Sequence, residues 1–423
     1  MKHPFPARVL LQAAILLLIL HAAGAAYSVL THEQVIDLLW EDRLQPMLKA
    51  RFPGLSDDQL KEAHAYAYGG SLVQDMGYYP FGNKYFSDLT HYVRTGDFVL
   101  ALINESQNVD EYAFALGALA HYAADNDGHP MVNHVVAMEF PSLRKKYGDI
   151  VTYADSPKAH IRAEFGFDMT EVAKNHYTSD RFHDFVGFEI STDLLERVFP
   201  EVYGMDFGDV IRNEDIAIGT FRRSVSIVIP EMTRVALLNR QKEIVADTRS
   251  AAHRKYLYYL SRTDYERQWG REYRRPGVGA RFLALVLKIL PKRGPFSALN
   301  FKIPSPQAED LFVKSIDKTV ESYKAMLQDS QQGRLDLANK DCDTGRETSP
   351  AEYPLADKTY ARLLNDLADN RFDKASPDLR ANILDFYSNP GAPQVTKKKR
   401  KEWQKVQKNL HALQQTLRSG SSS

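Results

Sequence analysis

The chain has 423 residues, with 54 Lys+Arg against 54 Asp+Glu, 44% hydrophobic and 26% charged residues. This composition fits a globular protein with a sizeable core, and the zero net charge argues against nucleic-acid binding through a strongly basic surface. The single cysteine, Cys342, excludes an internal disulfide framework and any multi-thiolate zinc or iron–sulfur site.

Residues 1–26 have the form of a secretory signal peptide. Lys2, His3 and Arg8 give a charged start, Val9 to Leu20 form an apolar run, and Ala22 to Ala26 supply small residues for cleavage. The run is short for a membrane span, which needs about 20 apolar residues. The expectation is an exported protein, periplasmic or secreted, whose mature chain starts at Tyr27.

Helical punctuation dominates the rest of the chain. Thr31 with Gln34, and Ser56 with Gln59, have capping-box spacing, and Gly69-Gly70 closes the second segment. A Gly/Tyr/Pro-rich loop covers 69–85, with a helical stretch through His91. A longer helix is expected from about Val109 to Asp125, breaking near Gly128 and Pro130. Ser156-Pro157 reads as a helix start. Apolar periodicity continues over roughly 208–228 and 231–262, then Pro and basic residues cluster at 275–306. Helical pattern resumes at 307–328 and near 357–369, and the chain ends in a basic helix. Its Lys397–Lys401 run suits either a solvated face or contact with anionic lipid. The reading is an all-α protein: signal peptide 1–26, main domain 27–305, and a helical C-terminal extension 306–423 with a basic tail.

The chemistry concentrates in the histidines. Of 13, nine fall between His32 and His183. His121 and Asp125 are four apart, so on a helix they share a face, and His129 follows after four more. Ala113, Gly117, Ala120 and Ala124 keep the neighbouring surface thin, which lets other helices come close. A second pair of the same kind is His160 and Glu164. Paired imidazole and carboxylate ligands on separate helices are how a helical scaffold builds metal sites, and zinc accepts that mixture without thiolate. His32, Asp75 and His91 precede the pairs. His134 is expected to support the site from just past His129; His64, His176 and His183 read as core, surface or supporting residues, and Cys342 as an incidental thiol.

In order and spacing, Tyr27, His32, Asp75, His91, His121, Asp125, His129, His160 and Glu164 resemble the ligand series of the zinc-dependent phospholipase C family, exported bacterial members included. Single-strand-specific zinc nucleases share that fold and trinuclear site. Tyr27 stands where the family usually has Trp, and Asp125 to His129 is a shorter step than usual. The resemblance covers roughly residues 27–190, and it implies three zinc ions. Asp75, His91, His121 and Asp125 would hold one. The Tyr27 main chain, His32 and the bridging Asp125 would hold a second, and His129, His160 and Glu164 a third.

The implied activity is phosphodiester hydrolysis by zinc-activated water, with Asp75 as the catalytic residue that orients or deprotonates it. A phospholipid or membrane surface is the implied partner. Nucleic acid is the alternative substrate, and no obligate protein partner is evident. Tyr78, Tyr79, Phe81, Tyr85 and Phe86 could line a lipid rim, stack nucleobases or sit in the core. A zinc-stabilised, non-catalytic helical protein is the remaining alternative.

Overall fold

The computed structural model describes residues 29–174, 176–177, 187–230, 233, 244, 255–256 and 301–420. The signal-like segment, Tyr27, His183, most of 231–262 and most of the Pro-rich 275–306 stretch lie outside them. The described part is all-α, with one small antiparallel β-ribbon. None of its helices is long and apolar enough to cross a membrane.

The organising element is a helix of 31 residues. The helices before it that bear on the site are α1 (Val29–Leu39), α2 (Asp57–Gly70), α3 (Lys84–Tyr92) and α4 (Thr95–Glu105); the long helix is α5 (Val109–Glu139). Asn108 caps α5 by accepting a hydrogen bond from the Glu111 N–H at 2.9 Å. From Glu111 to Asn126 every residue is buried, as expected of a helix surrounded by others. Contact with α2 is backbone to backbone. A Cβ on Gly117 would lie 2.1 Å from the Ala67 carbonyl oxygen, and one on Gly70 would lie 1.9 Å from that of Phe114. The thin surface read from the sequence is therefore where α2 and α5 meet.

Helices α8 (Pro306–Gln331) and α6 (Pro157–Ala173) also pack against α5, while α7 (Thr192–Tyr203) packs on α4. Tyr323 on α8 donates a hydrogen bond to the Leu116 carbonyl at 2.8 Å. Beyond α8 come the ribbon, β1 (Lys340–Asp341) and β2 (Arg346–Glu347), then α9 (Pro354–Asp369), α10 (Pro377–Phe386) and α11 (Arg400–Gly420). One hydrophobic cluster takes in residues from Val29 to Leu413, on both sides of residue 305.

Several local expectations match and several need correction. The Ser56 capping box forms with both of its hydrogen bonds. Pro157 opens α6, although the Ser156 hydroxyl makes no cap bond. Thr31 does not cap a helix: α1 already runs from Val29, and the Thr31 hydroxyl donates to Asp168 Oδ1 on α6 at 2.9 Å. Helix α5 does not break at Gly128-Pro130 but continues to Glu139, with Pro130 inside it. A mid-helix proline removes the hydrogen bond to the carbonyl four residues back, here Asn126. The loop between β1 and β2 covers that point. Gly345, at φ +69°, sits so close that a Cβ would lie 2.5 Å from the Asn126 oxygen and 3.1 Å from the Pro130 ring. Only glycine suits both that backbone conformation and that approach.

Candidate metal centre

Four chain segments meet at the buried face of α5. His121 and Asp125 project from it one turn apart, with His121 Nε2 3.1 Å from Asp125 Oδ2. His91, in the last turn of α3, places Nε2 3.3 Å from Asp125 Oδ2, 3.4 Å from Asp75 Oδ1 and 3.3 Å from His121 Nε2. Asp75 comes from a short 3-10 turn, Val73–Tyr78. His32 on α1 stacks its ring on His121, with centroids 4.4 Å apart, and its Nε2 lies 3.5 Å from Asp125 Oδ1. Ligand atoms of His32, His121 and Asp125 lie within 4.8 Å of one another, as do those of Asp75, His91 and His121. Five of the residues picked from the sequence thus converge, and Asp125 faces three histidines.

The outer nitrogens fix how these rings present themselves. His91 Nδ1 is 2.8 Å from the Ser87 carbonyl, and His121 Nδ1 is 2.8 Å from that of Ser71. A carbonyl only accepts, so each Nδ1 carries a proton. In the neutral ring this leaves the Nε2 lone pair turned inward, the arrangement that supports metal-ligating histidines.

The carboxylates supply the test of fit. All four oxygens of Asp75 and Asp125 are buried and accept no hydrogen bond. Burying an ionised carboxylate without hydrogen bonds costs several kcal/mol unless a cation compensates. Buried, unsatisfied carboxylate oxygens among inward-facing imidazoles form a donor set that suits zinc.

The electrostatics point the same way. Burial alone would raise the Asp125 carboxyl, but His121 and His129 outweigh it and hold it well below the usual range. Burial alone would lower His91, yet the flanking Asp125 and Asp75 raise it well above the ordinary histidine value. His32 is driven well down by burial, with His121 acting in the same direction.

The remaining predicted ligands lie outside these two groups. His160 and Glu164, one turn apart on α6, face each other with Nδ1 and Oε1 3.5 Å apart. His160 Nε2 donates to the Val151 carbonyl at 2.6 Å, and burial brings that histidine down to about 4. Burial pushes Glu164 well above its usual value, with Asp125 adding to the effect. His129 Nδ1 lies 2.9 Å from Oδ1 of Asp343. Asp343 was not among the residues singled out from the sequence. It comes from the β1–β2 loop, in a stretch (DCDTG, 341–345) whose paired acids were the only local signal.

Three other expectations resolve. His134 does not support the site: it is exposed, and its Nδ1 contacts the Asp149 carbonyl at 3.1 Å. His64 is a core residue, stacked on Trp40 and 3.1 Å from Asp37, which also accepts hydrogen bonds from Tyr68 and Tyr177. Of the aromatic loop, Tyr78, Tyr79, Tyr85 and Phe86 are buried, whereas Phe81 is 60% exposed.

An all-helical scaffold that gathers buried histidines and aspartates around the face of one helix offers a candidate metal site. Within that scaffold, residues 31–210 match the model of the zinc dependent phospholipase C family. That span includes every predicted ligand except Tyr27. No curated protein and no solved structure matches the chain.

Proposed function

We propose that the protein is a zinc-dependent hydrolase that cleaves the phosphodiester of phospholipids in the manner of a phospholipase C. The carrying observation is the convergence of His32, Asp75, His91, His121 and Asp125, with the buried carboxylate oxygens of Asp75 and Asp125 accepting no hydrogen bond. The family match over residues 31–210 supports the lipid reading, and zero net charge gives single-stranded nucleic acid no advantage.

Zinc, when bound, supplies Lewis acidity and draws a nucleophile from water at neutral pH. The chain's own residues do the rest. The Ser71 and Ser87 carbonyls lock the His121 and His91 rings. Asp125, between His32, His91 and His121, joins the two ligand groups. Asp75 Oδ1 faces His91, leaving Oδ2 to accept a proton from the attacking water. His129, His160 and Glu164 serve a third ion in this reading, the Tyr27 main chain contributes to the second, and residues 1–26 direct export.

The test is to purify the mature protein, determine its N-terminus and zinc content, and compare phosphatidylcholine with single-stranded DNA as substrates. Diacylglycerol release that chelation abolishes and zinc restores is the expected result. A protein that binds no zinc, or whose hydrolysis ignores chelation, would sink the reading; cleavage of DNA alone would move it to the nuclease branch.

A further inference from the structure

We infer that Asp343, delivered by the C-terminal β1–β2 loop, is a metal ligand paired with His129, so that residues beyond 305 complete the metal centre. The inference rests on the zinc reading above and adds to it a ligand from outside the 31–210 family segment.

Asp343 is buried, and its Oδ1 lies 2.9 Å from His129 Nδ1. The contact is not aligned as a hydrogen bond, and His129 Nδ1 has no hydrogen-bond partner despite being fully buried. An imidazole nitrogen and a carboxylate oxygen this close can both reach one zinc ion, which holds such atoms at about 2.0–2.2 Å. Asp343 Oδ2 is occupied differently, accepting hydrogen bonds from Tyr92 at 2.9 Å and Tyr353 at 2.5 Å. Those two hydroxyls fix the carboxylate so that Oδ1 faces His129, the orienting role that outer partners play for metal ligands.

The loop that carries Asp343 is pinned on every side. The Asp343 carbonyl accepts from Asn133 Nδ2 on α5 at 2.9 Å, and the Cys342 N–H donates to the His91 carbonyl on α3 at 3.0 Å. Thr95 Oγ1 bonds both the carbonyl and the N–H of Lys340, at 2.7 and 2.9 Å. Asp341 Oδ1 accepts from the Asp343 and Thr344 N–H groups and shapes the turn. The loop therefore bonds to the same two helices, α3 and α5, that carry His91, His121 and Asp125.

The experiment compares wild-type protein with Asp343→Asn and Asp75→Asn, measuring zinc per chain after dialysis against buffered zinc and the visible spectrum after cobalt substitution. The inference expects Asp343→Asn to lose about one equivalent, or to bind it at least 10-fold more weakly, with a changed cobalt spectrum. The ions at His32, His91 and His121 should remain. Full occupancy with an unchanged spectrum in Asp343→Asn would overturn it, whereas a wild-type chain that binds no zinc would overturn the underlying metal reading instead. If Asp343→Asn does not fold, hydrogen exchange on the wild-type chain decides. Zinc should protect residues 340–345 together with 121–129, and protection of 121–129 alone would overturn the inference.

Discussion

The Nε2 atoms of His91 and His121 face each other across 3.3 Å, and each ring is tied at Nδ1 to a main-chain carbonyl. In the neutral form that a metal requires, two imidazoles so held cannot hydrogen-bond to each other, because each would present a lone pair. They come from different helices, α3 and α5, yet converge on one carboxylate, Asp125. Packing energy from the α2–α5 contact and the surrounding core holds together an arrangement that the isolated side chains would not choose.

Asp125 touches three histidines, so its neutral isostere should affect both ligand groups. Asp125→Asn is expected to lower zinc affinity and hydrolytic rate by at least about 100-fold, the upper end of what removing a mere supporting partner costs. Zinc titration and turnover with a phospholipid substrate would check this. Unchanged zinc content would exclude Asp125 as a bridging group.

Zinc binding should release protons. His91 and His129 stand above the ordinary histidine value and Glu164 above the usual carboxylate value, so each tends to hold a proton that a cation must displace. Apparent affinity should therefore rise with pH from the weakly acidic range to neutral. Calorimetry of zinc binding in two buffers of different ionisation enthalpy, at one acidic pH, should show net proton release.

His160 gives a second pH signature, read in the chelated protein. Its folded value of about 4 lies below the ordinary histidine value of 6.5. The unfolded chain thus takes up a proton first as pH falls, and the stability tied to neutral His160 is present above 6.5 and lost on the way down to 4. His160→Gln lacks that titration. Melts across this window should show the variant gaining on wild type as the pH drops, and parallel curves would refute the assignment.

Gly117 should be intolerant of any side chain. With a Cβ placed 2.1 Å from the Ala67 oxygen, Gly117→Ala forces α2 and α5 apart, and overpacking of this kind costs about 1–3 kcal/mol. Chemical denaturation should report the loss. Zinc affinity should fall with it, because His121 Nδ1 bonds the Ser71 carbonyl just past the end of α2.

What the sequence made legible was local. His121 with Asp125, and His160 with Glu164, are visible because four residues complete about one helical turn, and the small residues of α5 announced a close helix contact. His134 misled because nearness along the chain is not nearness in space: five residues carry it about 140° round the helix from His129, onto the exposed face. The helix break at Pro130 was a fair local inference, overridden by a loop from the far end of the chain. Asp343 was illegible for the same reason, lying 210 residues from Asn133, to which its own carbonyl is bonded. No periodicity links such positions; only the shared core does.

Apart from the Asp341 and Asp343 side chains, the ribbon loop is seated through main-chain atoms: the Ala338 carbonyl receives Tyr122 Oη, Lys340 meets Thr95 through both its N–H and its carbonyl, and Cys342 reaches His91 through its N–H. A docking of this kind is blind to side-chain identity. The other positions of the loop are therefore free to change while the seat stays in place, provided Asp341 and Asp343 keep their side chains and Gly345 its φ of +69°. Related chains could then carry the same architectural clasp with little sequence in common, and it would be recovered by superposing helices rather than by aligning letters.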